Sequence, residues 1–263
     1  MILTKLKKIY SKDLMNQASS LSFHTILAIV PMLIIFFSLF LNIASFQKHT
    51  KMIKEFIFSS IMPSSQESFI INIEKFISNG TSISTIGLFF VVMVSVMFFK
   101  DYEHIVSKIF NTPKRSVWQG ISTYWTLITF TPLGLGLSFY LSNFLFDNWQ
   151  LNIVKILPFF IIWFMMFVVI LISPNKKLKI VNVAFVSLLA SGTWYTLKNA
   201  FVFYVTYNKT YTSLYGSFST FMFFLMWIYL SWIIFLYALN FIAYLEKRRD
   251  NKKKSNITLE KDI

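Results

Sequence analysis

Long stretches without a charged side chain dominate the pattern of apolar and polar positions along the chain. Six such runs are each at least 18 residues long: Leu14 to Gln47, Phe76 to Phe99, Ser116 to Phe146, Ile156 to Asn175, Ile180 to Leu197 and Thr210 to Leu245. An α-helix rises about 1.5 Å per residue, so about 20 apolar residues span the roughly 30 Å hydrocarbon core of a bilayer. The pattern therefore predicts an all-α, polytopic membrane protein with six transmembrane helices.

With their polar ends trimmed, the spans are predicted near residues 18–46, 82–99, 120–146, 154–173, 180–206 and 217–244. They form a single transmembrane domain (18–245) between a basic N-terminal segment (1–17) and a basic tail (246–263). An outer segment (47–81) joins the first two spans, and its apolar residues recur at helical spacing, which predicts short amphipathic helices on the membrane surface. This segment is a lid, a connector, or a docking site for an envelope protein partner through residues 47–80.

The distribution of Lys and Arg predicts the orientation, because the cytoplasmic loops of membrane proteins carry the excess. With the N-terminus inside, 18 of the 25 Lys and Arg residues fall on the cytoplasmic side. We therefore predict that both termini are cytoplasmic. The same distribution accounts for the net charge of +14 without a nucleic-acid partner. The expected partner is the lipid bilayer, and the basic tail is suited to contact anionic phospholipid headgroups.

The composition leaves little material for an enzyme site. Charged residues make up 14% of the chain, against roughly 25% in soluble domains. The chain has no Cys, and its three His and eleven acidic residues are scattered. Asp101 and Glu103 lie two positions apart and diverge on a helix, whereas metal-dependent hydrolysis requires converging carboxylates. We expect a non-enzymatic protein with no catalytic residues, metal or cofactor.

Motifs in the first helix and in the last third of the chain resemble those of a known family. The first helix contains Ala18, Leu21, Phe23-His24 and Pro31; later segments contain Pro174-Asn175, then Trp194, Lys198, Phe201 and Tyr204, then Tyr215-Gly216, Trp227-Ile-Tyr229 and Ala238. Their order, over roughly residues 5 to 250, resembles the YihY/BrkB family of bacterial inner-membrane proteins. The chain departs from the family where Gly-Ala-Glu is usual late in the sixth helix. Tyr237-Ala238-Leu239 stands there, and Asn240 supplies the nearby polarity.

The resemblance implies an envelope-related role in the bacterial inner membrane. Among such roles we expect membrane transport of a lipid or other amphiphile in envelope maintenance. A scaffold or partner subunit of an envelope complex is one alternative. The label commonly attached to the family, a tRNA-processing ribonuclease, is another.

Lys198 is the sharpest candidate for a functional side chain. Counted from Ile180, it lies roughly 27 Å along the fifth span, near the outer boundary of the bilayer. One interpretation is that Lys198, with Asn199, presents a cation to a lipid phosphate or an anionic solute inside the bundle. The other is that the long side chain extends its charge into the outer interface and has no further role.

Several other residues are candidates for a polar substrate path or for helix bends. His24 is an intramembrane histidine, for which we expect a hydrogen bond to a serine or a backbone carbonyl, with a proton relay as the alternative. Pro31 and Pro132 each remove one backbone hydrogen bond inside a span and bend it, which can line a cavity. Tyr215 and Gly216 open the last span as an interface anchor and a tight turn.

Overall fold

A computed structural model of the chain describes residues 12–41, 85–116, 119–120, 157–207 and 218–261. Five long helices occupy these residues: α1 (Lys12–Leu41), α2 (Thr85–Phe110), α3 (Leu157–Ile172), α4 (Ile180–Tyr207) and α5 (Phe218–Lys261). No strand occurs among them, so the all-α prediction is confirmed for the described part of the chain. The outer segment (47–81), nearly all of the predicted third span (120–146) and most of the N-terminal segment lie outside the described residues.

Three helices run beyond the predicted spans into charged sequence. α1 begins at Lys12 rather than near residue 18, α2 continues past residue 99 to Phe110, and α5 runs without a break to Lys261. The extension of α2 is amphipathic and buries one face against the other helices. Its buried apolar residues are Tyr102, Ile105, Val106 and Phe110, and its exposed residues are Lys100, His104 and Lys108. The basic tail therefore begins inside α5, and its first part is a continuation of that helix.

The end of α2 shows why the chain turns back at this point. Asn111 has φ of 52°, a left-handed conformation that Asn tolerates better than most residues. The amide of Thr112 donates to the carbonyl of Ser107 at 3.0 Å, which is the hydrogen bond of a Schellman motif. Pro113 then prevents the helix from resuming. The segment 111–116 is thereby directed back towards α3.

α5 lies at the centre of the bundle, where it packs against α1, α2 and α4, while α3 packs against α4 and α1 against α2. The main apolar core takes side chains from all five helices, including Leu21, Val106, Ile170, Val183 and Leu239. Leu21, Ile170, Val183 and Leu239 are each 0% exposed. This packing sets the depth and rotation of every helix relative to α5.

The outer surface of the bundle is strongly apolar. Phe23, Phe89, Phe164, Val181 and Phe185 are each at least 55% exposed. By length and composition, two described helices qualify as membrane spans, Ile180–Tyr207 and Phe221–Asn251, and Phe159–Ile172 is a shorter apolar helix. The most apolar part of each longer helix is less than half buried within the protein. Such a surface is suited to lipid rather than water.

Candidate functional site

Lys198 is half-buried on α4 and lies over an aromatic ring. Its Nζ is 5.9 Å from the ring centroid of Trp194, one helical turn earlier, within the range of a cation–π interaction. The ring is itself fixed, because the Trp194 indole N–H donates to Ser231 Oγ at 3.1 Å and the ring lies 5.2 Å from that of Trp227. The cation is therefore held at a defined place on the α4–α5 pair.

No acidic side chain in the described ranges forms an ion pair with Lys198. A half-buried cation is costly to leave without a counter-charge in an apolar environment. The Trp194 ring offsets only part of that cost, because a ring face carries a quadrupole and no net charge. The position is chemically suited to an anion, and a phosphate or carboxylate group has the matching charge.

The described residues leave the adjacent face of α4 uncovered at Gly192, where an added Cβ would meet none of their atoms within 4 Å. Tyr195 and Asn199 follow Gly192 at spacings of three and seven residues, on the same helix face, and both are exposed. Apolar side chains continue this face in both directions, with Leu188, Leu189 and Phe203 all exposed. The polar groups on this face are those of Asn199 and Thr196, and the face adjoins the side of α4 that carries Lys198.

His24 has a partner different from the one expected. Its Nδ1 lies 3.2 Å from Asp101 Oδ2 on α2, at ion-pair distance, and no serine or carbonyl of the described residues forms a hydrogen bond to that nitrogen. The same carboxylate oxygen accepts a hydrogen bond from the Ser20 hydroxyl at 3.2 Å. The expectation of a serine or backbone partner overlooked Asp101, because the acid comes from another helix 77 positions away in sequence.

Asp101 and Glu103 diverge, as predicted from their spacing. Asp101 faces His24 and Ser20 on α1, whereas Glu103 is buried and accepts a hydrogen bond from the backbone N–H of Arg115 at 2.9 Å. Within the described ranges no three His, Cys, Asp or Glu side chains come together as they would around a metal ion.

The remaining predicted residues do not join one site. Asn240 is partly buried on α5, and Pro31 lies inside α1, which continues as a helix to Leu41. Pro132, Tyr215 and Gly216 lie outside the described residues. Lys198 and His24 are on different sides of α5. Trp194, the neighbour of Lys198, donates a hydrogen bond to Ser231 of α5. Thr25, the neighbour of His24, accepts a hydrogen bond from the Trp232 indole of α5 at 2.9 Å. Consecutive residues on a helix point about 100° apart, so these are two separate places.

Two buried charge clusters at one end of the bundle had no counterpart in the predictions. We call this end, where α1 and α4 begin and α2 and α3 finish, the basic end. In the first cluster the Arg115 guanidinium donates to the carbonyls of Ile172, Ser173 and Pro174 at 2.8, 2.9 and 3.1 Å. These are carbonyls left unpaired where α3 stops, and a cation there also favours the helix dipole.

The second cluster is at the start of α4. Glu246 of α5, 1% exposed, accepts hydrogen bonds from the Asn182 side chain at 3.0 Å and from the Lys179 backbone N–H at 3.4 Å. Arg249 lies 2.8 Å from its other carboxylate oxygen. The acid therefore meets the positive end of the α4 dipole and a guanidinium together. Glu246 is the first charged residue after a long charge-free run, and this position is a sequence feature that could have indicated its role.

Comparison with known proteins identifies the family. The chain matches the family described as virulence factor BrkB over residues 6–262. It is 30% identical to a UPF0761 membrane protein of Histophilus somni, over 96% of this chain and 92% of the relative. It is also 30% identical to UPF0761 membrane proteins of Haemophilus influenzae and Aggregatibacter aphrophilus, over 87% and 92% of this chain and 89% and 91% of theirs. The names of these relatives describe membrane proteins and state no activity.

No solved structure matches the chain. The family match and the alignments with the relatives each extend over most of the sequence. The motifs of the first and last helices indicate the same family. The chain is a membrane protein that belongs to the BrkB family.

Proposed function

We propose that this protein moves or presents an anionic amphiphile, a phospholipid being the simplest, within a bacterial inner membrane, and that Lys198 contacts its headgroup. The supporting observation is the half-buried Lys198 cation, which lies on Trp194 with no acidic partner among the described residues. In this proposal the chain crosses the membrane six times, has both termini in the cytoplasm and performs no chemical reaction.

The open face of α4 supplies the apolar part of such a site. An amphiphile needs a charged contact for its headgroup and a continuous apolar surface for its chains. Lys198 and Asn199 provide the polar contacts, and the exposed residues on either side of Gly192 provide the apolar surface. A hydrated inorganic ion would gain nothing from that surface, because its removal from water requires several polar ligands.

The test is exchange of a fluorescent phospholipid between leaflets of proteoliposomes that contain the full chain. Lys198→Met removes the charge and keeps the aliphatic stem. Since a charge-assisted hydrogen bond contributes about 1.5–3 kcal/mol, we expect about tenfold or more slower exchange of an anionic lipid. Lys177→Met, at an exposed lysine in the α3–α4 turn, is the matched control and should leave the rate unchanged.

Two results of the same assay would contradict the proposal. If native protein exchanges lipid no faster than empty vesicles, unassisted translocation is excluded and a scaffold role through residues 47–80 takes its place. If exchange is fast but Lys198→Met and Lys177→Met are equal, the amphiphile path does not use Lys198.

A further inference from the structure

The contact between His24 and Asp101 joins a buried nitrogen to a half-exposed acid. His24 Nδ1 is shielded from solvent and its side chain is 15% exposed, whereas the Asp101 side chain is 44% exposed. The Ser20 hydroxyl donates a hydrogen bond to the same oxygen, Oδ2, that faces the imidazole. The site thus has an inner base on α1 and an outer acid on α2 that is in reach of solvent.

The chemistry of imidazole makes this contact depend on one proton. A neutral imidazole carries an N–H on only one of its two nitrogens, whereas an imidazolium carries one on both. After proton uptake, Nδ1 must present an N–H to the Asp101 carboxylate, and the two charges cancel across the helix interface. Histidine is the side chain whose charge changes between about pH 5 and 8.

Other charged groups around the site are either exposed or paired with each other. α1 packs against α2 and α5. α5 has no charged residue between Phe218 and Leu245, where its ionisable side chains are those of Tyr229, Tyr237 and Tyr244. On α2, Lys100 and His104 are exposed, and Glu103 faces Arg115. The other ion pair between α1 and α2, Asp13 with Lys108, lies about three turns nearer the start of α1.

We propose that His24 and Asp101 form a proton-binding site that couples the contact between α1 and α2 to proton uptake from the basic end. Through this helix contact, proton uptake also controls the movement of the amphiphile. Water beside the exposed Asp101 supplies the proton, which binds the free lone pair of the imidazole. The imidazolium then pairs with Asp101 and holds the helices together, and release of the proton weakens the pair. The link to transport rests on the proposed function, whereas the proton-dependent helix contact does not.

The first experiment measures the helix contact without any transport assay. Because the chain has no cysteine, two can be introduced for spin labels at Leu27 and Met93, which are exposed apolar positions on α1 and α2. We expect the distance distribution between the labels in the reconstituted full chain to be narrower at about pH 5.5 than at about pH 8. His24→Gln should abolish this difference, and Asp101→Asn should do so independently if the first variant folds poorly.

Two variants serve as matched controls. His104→Gln removes an exposed histidine from the same end of α2, and Asp13→Asn removes the other ion pair between the two helices. Both should keep the pH difference. A distribution that is identical at the two pH values, or a pH difference that persists in His24→Gln and Asp101→Asn, overturns the proton site.

The second experiment measures leaflet exchange at the same two pH values. We expect the rates to differ about fivefold or more, the lower end of ordinary coupling between sites, and to become equal in His24→Gln. A pH-dependent label distance together with no exchange at any pH overturns the proposed transport and the coupling while the proton site stands. Exchange that is fast and equal at both pH values overturns the coupling alone.

Discussion

Single polar side chains between apolar helices decide much of the packing near the middle of the bundle. The Trp232 indole N–H on α5 donates to Thr25 Oγ1 on α1, and that hydroxyl in turn donates to the carbonyl of Leu21. An indole N–H that loses its acceptor in an apolar environment costs about 1–3 kcal/mol. Thr25 is therefore a specific contact between two helices, although in sequence it resembles any threonine in an apolar run.

Replacement of Thr25 by valine tests this contact, because valine has nearly the same shape and no acceptor. We expect Thr25→Val to lower the free energy of unfolding by about 1–3 kcal/mol, measured by thermal unfolding in detergent. Thr193→Val is the control, since the Thr193 hydroxyl is exposed and donates only to the carbonyl of Leu189 in its own helix. Equal effects of the two substitutions would show that the bond from Trp232 contributes nothing.

The α3–α4 hairpin is held at its turn by charged groups from two other helical regions. Arg115, in the segment after α2, donates to the last carbonyls of α3, and Glu246 of α5 accepts from the first polar groups of α4. A cation at the end of one helix and an acid at the start of the next match the two dipoles. Because each group also has a charged neighbour, Glu103 or Arg249, neither charge is isolated.

Removal of the acid should loosen the start of α4. We expect Glu246→Ala to cost about 1–3 kcal/mol, because Asn182 and the Lys179 N–H lose their acceptor, with faster amide hydrogen exchange at the first turn of α4. Asp250→Ala is the control, since Asp250 is 41% exposed in its pair with Lys176 and a surface pair contributes at most about 1 kcal/mol. Unchanged exchange at residues 180–184 in Glu246→Ala would contradict the assigned role.

At the scale of the whole molecule, the charged side chains that form contacts between helices are concentrated at one end of the bundle. Arg115, Lys176 and Arg249 all lie at the basic end, where they contact acids or helix carbonyls. In the predicted orientation this end faces the cytoplasm, in keeping with the excess of Lys and Arg in cytoplasmic loops. The six spans and the location of both termini stay predictions.

The lack of cysteine makes the orientation directly testable. Single substitutions Lys114→Cys, Lys177→Cys and Asn251→Cys should be protected from a membrane-impermeant maleimide in intact spheroplasts and should react after permeabilisation. Ser65→Cys, in the predicted outer segment, should react in both. Labelling of Lys177→Cys in intact spheroplasts would reverse the predicted orientation.

Some features of the fold follow directly from the sequence. α3 and α4, at Leu157–Ile172 and Ile180–Tyr207, occupy the apolar runs from which the spans 154–173 and 180–206 are predicted. The reason is local: apolar residues dominate each run, and Pro174 and the lysines of the turn separate the two. α1, α2 and α5 include polar turns outside the apolar runs, and such turns carry no hydropathy signal.

The amino-acid sequence by itself determined that this protein is helical and apolar, because those properties depend on residues close together in the chain. It also made the family recognisable, because the order of short motifs along the chain carries the resemblance. Only the tertiary structure decided which charges meet. His24 with Asp101, Arg115 with the end of α3, and Glu246 with the start of α4 each join segments at least 57 residues apart. Such contacts depend on the rotation and depth of each helix against α5, which the packing of the whole core sets and no local pattern encodes.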